Sequence, residues 1–180
     1  MAEEIVELKE HAEEGAHHPS LKPVSLTMAI LAVLVAAISL LGHRAHTEEL
    51  LLQNKATDNW SYYQAKSIRR HSYELFLDLL SVSDPKDSKG AAELWEKYQR
   101  EIERYEREEK QIEEEGHKLE METALESKKA DRFDLGEVLL EIGLVVTSIT
   151  LLTNRTLFWK AGILSGMAGI VVAATAHWIR

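Results

Sequence analysis

Apolar and charged positions are sharply segregated along this chain. Residues 24–42 and 161–179 contain no Asp, Glu, Lys or Arg, and residues 138–154 contain only Glu141. An α-helix needs roughly 20 apolar residues to cross a hydrocarbon core about 30 Å thick. The pattern therefore predicts three transmembrane helices, at residues 24–42, 133–154 and 157–179.

The segment between the first two predicted spans is polar. Residues 44–132 carry 37 of the 51 charged side chains, while residues 47–80 contain neither proline nor glycine. Pro85, Gly90 and three serines make residues 81–90 typical of a turn. We predict an extended α-helical hairpin at residues 43–132 with its turn at about 81–90, after an acidic tail at residues 1–23. The fold class is then an all-α membrane protein.

The second arm of this hairpin carries a seven-residue repeat. The repeat positions, with Trp95 and Ile102 interleaved, have the spacing of a coiled coil. They are Ala91, Tyr98, Tyr105, Ile112 and Leu119. The interleaved set continues with Glu109, Gly116 and Thr123, which would weaken a long independent coil. We expect the seam to pack against the outgoing arm, or in a bundle of arms, near the distal end.

Composition narrows the classes of function. The net charge of -9, with no clustered excess of Lys and Arg, argues against nucleic acid as a partner. The absence of cysteine excludes disulfides, thiolate metal sites and a cysteine nucleophile. No catalytic triad, P-loop or glycine-rich dinucleotide turn occurs. We expect no enzyme activity and no cofactor, and we interpret His43 and His46 as metal-free.

Ionisable residues inside a membrane are costly and usually face a partner or an aqueous path. Glu137 and Glu141 share a face near the start of the second span, and Glu137 is expected level with about Thr175. His177 and Arg180 would then lie within about a turn of Glu137. Glu141 leaves three alternatives open: it is protonated, it pairs across a subunit interface, or it lines a pore as a ring.

Small and aromatic residues supply candidate helix contacts. Ala29, Ala32, Ala36 and Ser39 give the first span a small-residue face. In the third span, the spacing of Gly162, Gly166 and Gly169 allows close backbone approach, within the hairpin or between subunits. Trp60, Tyr63 and Gln64 form an aromatic and polar face that we expect to pack onto the seam. The expected seam partners are Trp95, Tyr98 and Ile102.

The segment around Trp60 also carries a resemblance. Residues 58–75 read DNWSYYQAKSIRRHSYEL, after an anchor and before a charged helix and an apolar hairpin. This arrangement resembles a family of bacterial membrane proteins defined as domain of unknown function 4337, and residues 60–66 are its most specific part. The resemblance implies a bacterial integral membrane protein with this order of elements and no established activity. It supplies no catalytic residues.

Flanking charges give an orientation. The positive-inside rule favours a cytoplasmic hairpin and an external amino terminus, in a multi-pass protein of the bacterial inner membrane. The residues counted are Lys22, Arg155 and Lys160 on one side, and Arg44, Lys128, Lys129, Arg132 and Arg180 on the other. We expect a non-enzymatic, self-associating scaffold, or an accessory subunit of a larger membrane complex. The alternative is a small oligomeric channel or ion pathway with a Glu141 ring.

Overall fold

The computed structural model describes residues 21–82 and 88–179, and these ranges are almost entirely helical and contain no strand. Helix α1 is Lys22–Val82, α2 is Ser88–Thr153 and α3 is Thr156–Thr175, followed by a 3-10 turn at Ala176–Trp178. The all-α class is confirmed. Of the predicted tail (1–23), hairpin turn (81–90) and terminal Arg180, residues 1–20, 83–87 and 180 lie outside the described part.

Each of the three helices contains a stretch that is long enough and apolar enough to cross a membrane. In α1 and α2 this stretch is only one part of a much longer helix, because the helices have 61 and 66 residues. The three predicted spans therefore correspond to three helices, two of which continue without a break into charged sequence.

The chain divides into two compact units. The three-helix unit comprises described residues 21–48 and 125–179, and the two-helix unit comprises described residues 49–82 and 88–124. In the three-helix unit a core of apolar side chains lies between the helices. Its buried members are Met28, Leu31 and Ile38 of α1, Leu140 and Leu144 of α2, and Ala173 of α3.

A two-residue connection joins α2 to α3. Asn154 adopts a positive φ of 53°, a left-handed conformation that asparagine tolerates better than most residues. Its backbone N–H donates to Thr150 O at 2.8 Å. Across the pair, Gly136 lies against Gly169 and Ala173, so Glu137 is level with earlier residues of α3 than Thr175.

In the two-helix unit, α1 and α2 pack against each other in antiparallel directions. Tyr73 of α1 stacks on both Tyr98 and Tyr105 of α2, with ring centroids 5.3 and 5.9 Å apart, and Phe76 stacks on Tyr98 at 5.7 Å. Tyr105 is almost completely buried. The predicted packing of the seam on the outgoing arm is therefore confirmed at Tyr98 and Tyr105.

Candidate helix-contact site

The Trp60 face does not pack where the sequence predicted. The indole of Trp60 lies over Gly116, and a Cβ at that glycine would come within 3.1 Å of the ring. Trp60 Nε1 donates to Glu120 Oε1 at 2.9 Å, and the ring meets Tyr63 and His117 edge-on. The expected partners Trp95, Tyr98 and Ile102 are wrong for Trp60, because the antiparallel register places residues near 116 opposite it. Gln64 is exposed.

Two ion pairs lie between α1 and α2 in the middle of the two-helix unit. Lys66 Nζ donates to Glu108 Oε2 at 2.6 Å. Arg70 Nε donates to both carboxylate oxygens of Glu109, at 2.9 and 3.1 Å, and its Nη1 donates to Glu74 at 2.7 Å. Glu109 is only 6% exposed. These pairs fix the register because a slip of either helix would leave a charge without its partner.

Basic side chains also surround the buried ring of Tyr105. Lys66 lies over this ring at 5.2 Å and Arg104 at 4.8 Å from its centroid. A hydrogen bond from Arg69, assisted by one from Arg104, lowers the pKa of the Tyr105 hydroxyl below its ordinary value of 10.0. Cations of both helices therefore lie beside Tyr105, with Lys66 of α1 and Arg104 of α2 over its ring.

The Lys66–Glu108 pair predicts a pH dependence of stability. The hydrogen bond from Lys66 lowers the pKa of Glu108, and the same bond raises the pKa of Lys66. The stabilisation is therefore present above the unfolded-state pKa of Glu, about 4.3, and below that of Lys, about 10.4. In thermal melts of the full-length protein, the difference in melting temperature between wild type and Glu108→Gln should be constant from pH 5 to 9 and should shrink toward pH 3.

The matched control for this prediction is Glu113→Gln, which removes an exposed carboxylate from the same helix. Its melting difference from wild type should stay small throughout, since exposed charges contribute little to stability. A Glu108→Gln difference that persisted undiminished at pH 3 would show that charge at Glu108 is not what stabilises the contact.

The positions that interrupt the seam are contact positions. Glu109 is buried against Arg70, and Gly116 is the hole that receives Trp60. The sequence predicts that both weaken a long independent coil. In the structure, an ion pair and a ring-on-glycine contact take the place of apolar packing at these two positions.

The opposite side of α1 in the two-helix unit carries a row of uncharged side chains, whose large apolar members are exposed. We call it the α1 outer stripe; its members recur at spacings of three and four residues. They are Ser61, Ala65, Ile68, Ser72, Leu75, Leu79 and Val82. Ile68 and Leu75 are 67% and 63% exposed. An open groove of about 440 Å³ runs along this helix from Tyr63 to Leu75.

In the three-helix unit, the predicted glycines of α3 are contact residues within the chain. Gly162 lies against Gly143 O and Thr147, and Gly169 against Gly136 O, so that an added Cβ would overlap α2. Gly166 faces Leu31 of α1 instead. Close backbone approach of this kind is what small residues permit between apolar helices.

Sequence reasoning missed the α2 side of this contact. Gly136, Leu140, Gly143 and Thr147 share one face, and all four are buried. The signal was available, because Gly136 and Gly143 are seven residues apart in an apolar segment. Polar bonds add to the contact: Ser165 Oγ donates to Leu139 O at 2.7 Å. Between α1 and α3, Trp159 Nε1 donates to Thr27 Oγ1 at 3.0 Å.

The ionisable candidates do not form one cluster. Glu137 is half-buried on α2, whereas His177 is exposed in the 3-10 turn, and no ion pair joins these two described residues. Glu141 lies on the exposed side of α2. Arg180 lies outside the described residues. A different pair occurs in this unit, since His46 Nε2 and Asp134 Oδ2 are 3.0 Å apart.

His43 and His46 bond to different partners. His43 Nδ1 bonds to Ser39 O at 2.8 Å, one turn back on the same helix, while His46 bonds to Asp134 across to α2. Among described residues 21–82 and 88–179, no three His, Asp or Glu side chains converge with the geometry of a metal site.

These observations define a class: a helical protein in which three apolar helical segments pack through glycines and two charged segments pack through aromatic rings and ion pairs. Over residues 20–179 the sequence matches the family model of a domain of unknown function, DUF4337. The chain therefore belongs to the DUF4337 family, as its resemblance indicated. Neither a curated protein nor a solved structure matches the sequence.

Proposed function

We propose that this protein is a non-enzymatic, multi-pass membrane protein that acts as a self-associating scaffold or as an accessory subunit of a membrane complex. Three helices long and apolar enough to span a bilayer support the membrane assignment. The charged helices would then lie outside the hydrocarbon. We place the protein in the bacterial inner membrane with residues 43–132 in the cytoplasm, on the resemblance and on the positive-inside rule.

One observation carries the proposal of a binding role: the α1 outer stripe has no charged residue, and its large apolar members, from Ile68 to Val82, are exposed. The stripe belongs to a segment of the chain rich in charge, so lipid is not expected to cover it. Exposed contiguous apolar surface on a water-facing unit marks a site of protein interaction. The contacts inside the two-helix unit hold α1 and α2 in one register, so the stripe is presented on a fixed support.

Extraction from native membranes tests this function. A tagged full-length chain, solubilised in mild detergent, should have a mass above that of one copy at 20.4 kDa, and should cross-link to protein in intact membranes. The same sample in denaturing detergent is the control and should give the single-copy mass. A chain that behaved as a lone monomer and cross-linked to nothing would contradict the proposal.

The position of Glu141 supports a second candidate, a small oligomeric ion pathway. Its side chain is on the exposed side of α2, where a neighbouring subunit could meet it. A ring of Glu141 carboxylates, one from the hairpin of each subunit, needs several copies of the chain around an axis. The mass in mild detergent therefore separates the two candidate functions, because a complex with only one or two copies of the chain would exclude the ring.

A further inference from the structure

We propose that the α1 outer stripe binds the same stripe of a second copy of this chain, with the two α1 helices parallel and in register. The inference rests on the proposed membrane function and specifies its partner. It starts from the heptad spacing of the stripe, in which Ala65, Ser72 and Leu79 occupy one seam position. The alternating seam position is occupied by Ser61, Ile68, Leu75 and Val82.

An in-register pair brings every seam residue against its own copy, so a self-associating face must be free of charge. The stripe meets this condition from Ser61 to Val82. Small side chains at Ser61, Ala65 and Ser72 allow the helices to approach, and the apolar contact is made by Ile68, Leu75, Leu79 and Val82. The groove alongside Ile68 would receive the partner's side chains.

The residues that flank the stripe are also compatible with a second copy. In a parallel pair, each residue on one flank meets the residue five positions further along the partner helix. No like charges meet in these pairs, and each offers either a hydrogen bond or ring contact. The pairs are Thr57 with Tyr62, Gln64 with Arg69, and His71 with Phe76.

Charge excludes the other exposed face of the two-helix unit. Described residues 88–124 of α2 carry twelve acidic and seven basic side chains, whereas residues 49–82 of α1 carry four of each. On the outer face of α2, the exposed residues Glu96, Glu103 and Glu114 would each meet an identical carboxylate. Like charges in contact oppose association. Copies can therefore approach through α1 and not through α2.

The three-helix unit provides an independent observation in favour of a second copy. Of the small-residue face predicted on α1, Ala29, Ala32 and Ala36 are exposed, and none belongs to the core of the described three-helix unit. Small residues allow close helix packing in lipid. Association through this segment would raise the effective concentration of the outer stripes, so that a short seam suffices.

Single-cysteine cross-linking tests the inference, because the natural chain has no cysteine. Full-length variants Ile68→Cys, Ser72→Cys and Leu75→Cys, oxidised in native membranes, should form disulfide-linked homodimers. The control variant Glu114→Cys on α2 should not. A disulfide requires Cα atoms within about 7 Å, which self-facing positions on parallel helices meet. Dimers at Glu114→Cys and none on the stripe would overturn the inference.

A second variant tests the same contact with the cysteine placed outside the centre of the stripe. Ile68→Glu with Leu75→Glu, in a Ser61→Cys background, should reduce the homodimer at least about tenfold, because the interface would bury unpaired carboxylates. The matched control is Gln111→Glu with Met121→Glu, which adds equal charge at exposed α2 positions and should leave the dimer intact. Both stripe positions are exposed, so the fold does not depend on them.

The outcomes separate this inference from the proposed function. Loss of the homodimer in the stripe variant, but not in the control, supports the inference. A chain that forms no homodimer, yet cross-links to a different membrane protein through the stripe, overturns the inference and leaves the accessory-subunit role standing. A chain that cross-links to no protein at all contradicts both.

Discussion

Replacing Arg70 with methionine is expected to lower the free energy of unfolding of the two-helix unit by about 3 kcal/mol, because it leaves the buried carboxylate of Glu109 without its partner. Glu109 is only 6% exposed and receives two hydrogen bonds from Arg70 Nε. Methionine keeps most of the apolar length of the side chain and removes the guanidinium. Urea unfolding measures the loss in a full-length chain whose Trp95, Trp159 and Trp178 are replaced by phenylalanine, so that the fluorescence comes from Trp60.

Two companion variants separate charge from packing. Arg100→Met removes an exposed arginine whose contact with Glu96 is 4.0 Å long, and should cost less than about 0.5 kcal/mol. The double variant Arg70→Met with Glu109→Met should recover most of the lost stability, since well-packed apolar residues replace a buried pair at little cost. A double variant as unstable as Arg70→Met alone would contradict this account of the pair.

Replacing Gly143 with leucine is expected to destabilise the three-helix unit by about 3 kcal/mol, through overpacking against backbone. A Cβ at Gly143 would lie 2.7 Å from Gly162 O and 3.0 Å from Gly166 N, neither of which can rotate away. The helices must therefore separate, and the Ser165 bond to Leu139 O would be lost with the contact. Unfolding in SDS measures the effect in a full-length chain whose Trp60, Trp95 and Trp178 are replaced by phenylalanine, so that the fluorescence comes from Trp159.

Ala168→Leu is the matched control for this prediction, since it enlarges an exposed residue of α3 in the same glycine-rich segment. It should leave the SDS midpoint close to that of wild type. Gly143→Ala should fall between the two variants, because one methyl group already meets the backbone of α3. Equal midpoints for Gly143→Leu and Ala168→Leu would show that α2 and α3 do not approach at these glycines.

The helices could be predicted from sequence because their signals are local. Uncharged residues 24–42 and 161–179, and the proline-free stretch 47–80, each indicate a helix without reference to any other part of the chain. The packing of Tyr98 and Tyr105 on α1 was likewise predictable, since a heptad repeat of apolar and aromatic residues indicates a buried face.

The partners of these faces could not be predicted, because they depend on the register between helices. The sequence predicts Trp95, Tyr98 and Ile102 as the partners of the Trp60 face. The structure pairs Trp60 with Gly116, whose lack of a side chain makes the space that the indole fills. The ion pair of Glu109 could not be predicted either. Its partner Arg70 is 39 residues away in sequence, so the pair depends on the register.

The two-residue connection at Asn154 and Arg155 bears on how the chain is made. In a chain that inserts into a bilayer as proposed, this connection is too short for one of the two helices to cross the membrane while the other stays in water. With glycines on α2 and α3 already in contact, the pair would enter the membrane together as one hairpin. Biogenesis would then proceed in two insertion events, first α1 and later the hairpin, separated by the synthesis of the charged segment between them.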